Sequence, residues 1–148
     1  MIGFFDAVKA MFPTSVRTHL FAPSFSKVQD GQQVPTLADY PYVVLWGTPG
    51  TEYSGDGPLF PSLRDAPDAV SLDVRVTYVA TSSTSLDWLL SRARPALNRQ
   101  VPVVPGYQVG RIRLESLTNI TPDNDVSIGS LHPLFTVDEF TLTASRIQ

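Results

Sequence analysis

The residues that could take part in catalysis are few, and each motif that contains them lacks a required partner. Residues 50–55 have the glycine spacing of a phosphate-binding loop, but the lysine and hydroxyl that should follow are replaced by Asp56 and Gly57. That loop needs the lysine on the phosphates and the hydroxyl on Mg²⁺, and a carboxylate there repels phosphate. Residues 24–27 match S-x-x-K, a pattern that has meaning only beside companion motifs that this chain lacks. Neither stretch predicts a catalytic site.

Two further stretches could bind metal, and both are incomplete. Residues 123–125 resemble the start of a calcium loop, but Ile128 replaces its glycine and Leu134 its bidentate glutamate. We interpret this stretch as a polar turn. His19 and His132 have no second ligand nearby in the sequence, so we interpret both as surface or hydrogen-bonding histidines. We therefore predict no metal site.

Asp138 and Glu139 form an adjacent pair of carboxylates, from which general acid–base catalysis could be built. Neighbouring residues of a strand point to opposite faces, so the two would meet only at a bulge. A charged bulge that protects a sheet edge is the commoner use, and we interpret the pair in this way. The chain has no cysteine, which excludes thiolate chemistry. We predict no catalytic residue, no cofactor and no enzymatic activity.

Composition sets the class of protein. The 148 residues, 43% hydrophobic and 17% charged, predict one globular domain over residues 1–148, with an N-terminal helix or arm over about 1–37. A net charge of −3 argues against nucleic-acid binding as the main function. No apolar run approaches a membrane span, and the apolar N-terminus is too short for a signal peptide, so we expect a soluble intracellular protein. The 13 prolines lie mainly in connections, which favours stiff, ordered loops.

The element that organises the chain is a strand followed by a helix over residues 69–97. Apolar residues alternate with polar ones from Val70 to Tyr78, and the helix then has one apolar stripe: Leu86, Leu89, Leu90, Ala93 and Leu97. Thr84 with Asp87 could form a capping box, and Ser85 is the alternative N-cap. Pro95 should kink or end the helix near Arg94.

Other patterns complete the predicted elements. Residues 2–12 predict a short amphipathic helix stopped by Pro13, either covering a sheet or offered to a partner. Residues 42–46 predict a central strand buried on both faces. Residues 108–117 predict a third strand, and residues 134–145 a last strand. The apolar phase of that last strand slips at Asp138–Glu139, which predicts a β-bulge.

These elements predict an α+β fold: a mainly antiparallel sheet of four or slightly more strands, helices on one face and long ordered loops. The matched periods also predict the residues of the core, namely Val43, Leu45, Leu72, Val74, Val76, Leu89, Leu90, Ile112, Leu114 and Phe140.

The 22 residues from Gly47 to Asp68 are too long for an ordinary connection inside a compact domain. They carry isolated aromatic residues and charges of both signs, which suit contacts between chains. The alternative is a loop folded back on its own sheet. The residues that we predict at a subunit or partner interface are Glu52, Tyr53, Asp56, Phe60, Arg64 and Asp65.

Four segments resemble those of a known family in their order along the chain and in their pattern of apolar and polar residues. The segments YPYVVLWG (40–47), LDVRVTYVA (72–80), SLDWLL (85–90) and LFTVDEFTL (134–142) resemble the tail terminator proteins of long-tailed bacteriophages, especially those that infect actinobacteria. The resemblance covers roughly residues 38–146. It implies a homo-oligomer, a hexameric ring on the last ring of the tail tube, located at the tail and neck of the virion after assembly in the host cytoplasm.

The resemblance also implies a function and partners. Such a ring stops tube polymerisation and offers the tail to the head, so its partners are the major tail tube protein and the head–tail connector or stopper protein. DNA passes through the ring without specific binding, and no membrane is involved. The alternatives are another neck component, such as a head–tail stopper or adaptor, or a small enzyme or ligand-binding domain with a pocket beneath residues 47–68.

Overall fold

The chain forms an α+β domain with a mostly antiparallel, curled sheet and two α-helices, as the sequence predicts. The structure is a computed structural model, and it describes residues 3–47, 51–53 and 69–147, with side chains for 3–47 and 71–147. The elements are α1 (Phe4–Lys9), β1 (Thr18–Leu20), β2 (Lys27–Gln29), β3 (Gln32–Val34), a 3₁₀ turn (Leu37–Asp39), β4 (Tyr42–Gly47), β5 (Thr51–Tyr53), β6 (Ala69–Ala80), α2 (Ser83–Leu97), β7 (Tyr107–Val109), β8 (Arg113–Leu117), β9 (Thr121–Pro122) and β10 (Leu134–Arg146).

The main sheet is larger than the sheet of four or slightly more strands that the sequence indicates. It has eight strands among the described residues, in the order β1, β4, β6, β10, with β5 beside β6 and with β7, β8 and β9 along β10. The longest pairing joins β6 and β10 from Leu134 opposite Ala80 to Ser145 opposite Ala69. β1 is parallel to β4, and the other pairs are antiparallel. β2 and β3 form a separate hairpin.

The predicted core is confirmed. Eight of the ten predicted residues are buried, and Leu90 and Leu114 are partly buried against the same cluster. β4 contributes to two clusters, since Val43 and Leu45 lie in the larger one and Tyr42 and Val44 in a smaller one. The prediction that this strand is buried on both faces is therefore also correct.

Leu89 tests the assignment of the helix face. Its side chain is fully buried, so we expect Leu89→Ala to lower the free energy of unfolding by about 2–5 kcal/mol in urea denaturation. The matched control is Leu90→Ala, which truncates a partly buried leucine and should cost less. Equal midpoints for Leu89→Ala and the unaltered protein would contradict the packing of α2.

The predicted N-cap of α2 is wrong, and the helix does not end near Arg94. The N-cap is Ser82 rather than Thr84 or Ser85, because the Ser82 hydroxyl accepts from the Ser85 N–H at 3.1 Å. The helix also continues through Pro95 to Leu97. Pro95 lies in the last turn on the exposed side of the helix, so its missing N–H leaves one carbonyl to bond with water. Leu97 is fully buried, and its packing stabilises this last turn.

The predicted third strand is divided, and the predicted bulge lies on the other strand. β7 and β8 are separated by 110–112, where Ile112 turns into the core. β10 pairs with β6 without interruption, whereas its register with β8 shifts between Glu139 and Phe140, leaving Glu115 of β8 unpaired. The extra residue is therefore in β8, not at Asp138–Glu139.

Candidate interaction surfaces

The structure describes two of the six residues that we predict at an interface. Glu52 and Tyr53 lie in β5, where their backbones pair with Val70 and Ala69 of β6. Three residues of the 47–68 segment therefore form an edge strand of the main sheet. The other predicted interface residues, Asp56, Phe60, Arg64 and Asp65, lie outside the described residues.

The histidines and the polar turn do not form a metal centre in the part of the chain that the structure describes. His19 packs edge-on against Tyr42, with ring centroids 5.5 Å apart, and its pKa is lowered by burial and by Arg17 and Lys9. His132 Nδ1 lies 2.8 Å from the Val126 carbonyl. The Asp125 N–H donates to Asp123 Oδ1 at 3.1 Å, as in a polar turn. Among the described residues no group of three metal-ligating side chains occurs.

Asp138 and Glu139 do not act as a pair, because they point to opposite faces of β10. Glu139 is half-exposed and lies 3.8 Å from the Arg75 guanidinium. Asp138 has no exposed surface and accepts from Arg94 Nε at 2.7 Å, Arg94 Nη2 at 2.9 Å and the Tyr78 hydroxyl at 2.8 Å. The interpretation of the pair as a charged bulge at an edge is therefore wrong.

We call Tyr78, Arg94 and Asp138 the buried network. Two parallel hydrogen bonds from one guanidinium to one carboxylate are the strongest common arrangement for such a pair. Both carboxylate oxygens are satisfied, and no buried side-chain polar atom among the described residues lacks a partner. The network joins α2 to β6 and β10 and leaves no free group for proton transfer. Its visible signal in the sequence is Asp138 itself, which shares the phase of Phe140 and Leu142.

The buried tyrosines should make the fold sensitive to alkaline pH. Burial, followed by the charge of Asp138, raises the pKa of Tyr78, and burial likewise raises the pKa of Tyr42. In the unfolded chain both hydroxyls ionise near about pH 10, whereas in the fold they stay neutral. Above that pH the folded state binds more protons, so the free energy of unfolding should fall by about 1.4 kcal/mol per pH unit per tyrosine.

Urea denaturation between pH 8 and pH 11 measures this slope. Tyr78→Phe should be less stable at pH 7, because Asp138 loses a hydrogen-bond donor. Above about pH 10 its free energy of unfolding should fall less steeply with pH, because one of the two buried hydroxyls is gone. An unchanged slope in this variant would contradict the assignment.

An open apolar groove lies on the sheet near the second cluster. We call it the aromatic groove: it has a volume of about 360 Å³ and is lined by Phe21, Tyr42, Trp46, Val79, Asp123 and Phe135 among others. Phe21 is 59% exposed at its rim. The Trp46 Nε1–H donates to Thr77 Oγ1 at 2.8 Å, and the Arg75 guanidinium lies 5.1 Å from the Trp46 ring. The polar groups of Trp46 and Thr77 are thus engaged with each other, and the groove offers mainly apolar surface.

A second open groove lies beside α1. We call it the α1 groove: it has a volume of about 560 Å³ and is lined by Asp6, Ala7, Ala10, Met11 and residues 101–103. Val103 is 84% exposed and Val101 50% exposed, with Pro102 buried between them. Two large exposed apolar side chains next to an apolar groove are typical of a surface that another protein covers.

The fold and these surfaces define an α+β domain whose described residues offer apolar grooves and engage the one buried charge pair completely. The chain matches no model of a known protein family and no curated protein sequence. Neither helix in the described part has the length and apolar character needed to cross a membrane.

Proposed function

We propose that this chain is the tail terminator of a long-tailed bacteriophage, in particular one of an actinobacterial host. It is a structural virion protein, not an enzyme, and needs no cofactor. Six copies form a ring at the head-proximal end of the tail tube, end the polymerisation of the tube and join the tail to the head connector. Its partners are the major tail tube protein and the connector or stopper protein, and DNA passes through the ring without specific binding.

The observation that supports this proposal is the presence of two separate apolar grooves on one small domain. The aromatic groove and the α1 groove share no lining residue. A subunit of a closed ring meets its two neighbours through two different patches, and it needs further surface for the tube and the connector.

The arrangement of the layers fits the same role. We propose that both helices cover one face of the sheet, since Val8 of α1 and Leu89 of α2 belong to one cluster with Val43 of β4. Tyr42 and Val44 alternate with Val43 along β4 and point the other way, towards the aromatic groove. In this arrangement no helix of the described residues covers that face, and a neighbouring subunit would complete it.

The segment from Gly47 to Asp68 is the second contact between chains in this proposal. Its predicted interface residues supply aromatic side chains and charges of both signs: Glu52, Tyr53, Asp56, Phe60, Arg64 and Asp65. Opposite charges across an interface fix the orientation of the partners.

Native mass spectrometry of the purified protein, alone and with its tail-tube protein, tests the proposal. We expect a closed ring of six subunits, and tubes capped at one end in electron micrographs. Phe21→Asp in the aromatic groove and Val103→Asp beside α1 should weaken the ring without unfolding the subunit. The matched control is Val28→Asp, because Val28 is 62% exposed on β2 and lies outside both grooves. A monomer that leaves tubes uncapped would contradict the proposal.

A further inference from the structure

A cavity of about 630 Å³ lies where α2 ends and β8 begins, and three arginines line it. We call it the arginine cavity: Arg99, Arg111 and Arg113 stand around Ile112, with Glu115 also in the lining. The cluster was not anticipated from the sequence, because Arg99 follows α2 whereas Arg111 and Arg113 lie just before and at the start of β8.

The backbone fixes the positions of these arginines. The Arg99 N–H donates to the Ile112 carbonyl at 2.8 Å, and the Ile112 N–H donates to the Gln100 carbonyl at 2.8 Å. Ile112 is fully buried, so Arg111 and Arg113 on either side of it point outward. The cavity therefore presents guanidinium groups from two chain segments that are tied together.

Arg99 also has a backbone conformation that a side chain disfavours. Its φ is +64°, directly after the end of α2, at the position where helices commonly use glycine. A residue with a Cβ is less stable there than glycine. Stability of the subunit alone does not explain an arginine at this position.

The charges of the cavity are largely unpaired. Among the described residues neither Arg99 nor Arg111 forms an ion pair, and Arg113 meets Glu115 only at 3.5 Å with three quarters of its side chain exposed. Guanidinium groups bind carboxylates through two parallel hydrogen bonds, so a ligand with several carboxylates would suit this cavity.

The chain itself contains such a ligand. Of its 14 acidic residues four lie in residues 47–68, namely Glu52, Asp56, Asp65 and Asp68, and of its 11 basic residues only Arg64 does. This segment therefore carries a net charge of −3, which equals the net charge of the whole chain, and the rest is neutral. Positive charge in a cavity and negative charge in one segment make two complementary patches on each subunit.

We propose that the arginine cavity binds the acidic 47–68 segment of a second copy of this chain. The inference rests on the proposed ring and names its head-to-tail contact, in which each subunit gives its segment to one neighbour and receives the segment of the other. β5 and β6, which flank residues 54–68 in the sequence, pair at one edge of the sheet, and β8 lies at the opposite edge beyond β10. A contact between opposite edges of neighbouring subunits can repeat from one subunit to the next until a ring closes.

The lining favours carboxylates of a protein over the phosphates of nucleic acid. Glu115 interrupts the run of positive charge that the evenly spaced phosphates of a nucleic acid would need, whereas the irregularly spaced carboxylates of a protein segment can avoid it. Ile112 and Leu114 add apolar surface to the lining. An acidic segment with Leu59 and Phe60 between its carboxylates can contact both the guanidinium groups and this apolar surface.

Charge reversal in two separate proteins tests the contact. One variant carries Arg111→Glu and Arg113→Glu, and the other carries Asp56→Lys and Asp65→Lys. We expect each to be monomeric in native mass spectrometry, and an equimolar mixture to form rings of alternating subunits, because every cavity then meets a segment of opposite charge. Rescue only when all four changes are in one chain would show that the cavity binds its own segment, and would overturn the inference.

Further controls separate the remaining outcomes. Lys27→Glu with Arg92→Glu makes the same change of net charge at exposed sites outside the cavity, and should leave rings intact. If both reversed variants still form rings, the inference fails while the proposed ring stands. The same holds if the wild-type protein binds duplex DNA and the first variant assembles normally but no longer binds it. A wild-type protein that forms no ring contradicts the proposed function as well.

Arg99→Gly separates assembly from stability. Glycine suits the backbone at this position, so the melting temperature should rise, whereas the dissociation constant of the subunit contact should increase roughly 10- to 100-fold through loss of a charged hydrogen-bond donor. A purely structural arginine would instead lower the melting temperature and weaken the subunit contact together. Unchanged assembly in this variant would count against the cavity as the contact.

Discussion

Replacing Arg94 with methionine is expected to lower the free energy of unfolding by about 3–5 kcal/mol. Asp138 has no exposed surface, and without the guanidinium its carboxylate would keep only the Tyr78 hydroxyl as a donor. A charge that stays buried without its partner is among the most destabilising changes that one substitution can make. Urea denaturation at pH 7 measures the loss.

Two comparisons separate loss of the ion pair from loss of packing. Arg92→Met on the same helix removes an exposed arginine that stacks on Trp88 at 5.6 Å, and should cost at most about 1 kcal/mol. Combining Arg94→Met with Asp138→Leu and Tyr78→Phe removes every polar member of the network, and should recover most of the stability that Arg94→Met loses. A cost below about 1 kcal/mol for Arg94→Met alone would contradict the buried network.

The same network explains why the last strand was misjudged from the sequence. Thr136, Asp138, Phe140, Leu142 and Ala144 all face the core in one unbroken phase. A charged residue in that phase looks like a slip in the apolar pattern, which suggested a bulge. Its partners Tyr78 and Arg94 are 60 and 44 residues away in the sequence, so no local pattern could show that the charge is neutralised.

Long elements with a clear period were predicted well, whereas the bounds and pairing of the short strands were not. β4, β6, α2 and β10 each bury a face over at least six residues, so hydrophobic periodicity reports them. β1, β5 and β7 have three residues each, too few for a period, and their pairing depends on strands that are distant in the sequence. The parallel pairing of β1 with β4 is one result of this dependence.

The candidate surfaces were the least predictable part of the protein. The sequence identifies Phe21, Tyr42, Val79 and Phe135 as apolar, but only the sheet brings them into one groove. Arg99 reaches the arginine cavity only because the chain reverses after α2 and bonds to Ile112. Such sites are set by tertiary contacts, which periodicity and spacing do not encode.

Shortening the acidic segment is expected to abolish assembly while the subunit still folds. Tyr53 of β5 and Ala69 of β6 are paired directly, so a four-residue Gly-Ser linker can replace residues 54–68 and close an ordinary hairpin. The described core is built mainly from α1, α2, β4, β6 and β10, which the linker leaves in place, so cooperative unfolding should survive. The shortened protein should be monomeric in native mass spectrometry and leave tail tubes uncapped.

The matched control keeps residues 54–68 at the same length and composition but scrambles their order. A ring that needs only the negative charge of the segment would tolerate the scramble, whereas a ring that needs Asp56, Phe60, Arg64 and Asp65 at their own positions would not. If the shortened protein still forms rings and caps tubes, the segment makes no contact between chains. If it fails to unfold cooperatively, its aromatic residues belong to the core of the subunit, because an ordered loop must be held by contacts that offset its lost entropy.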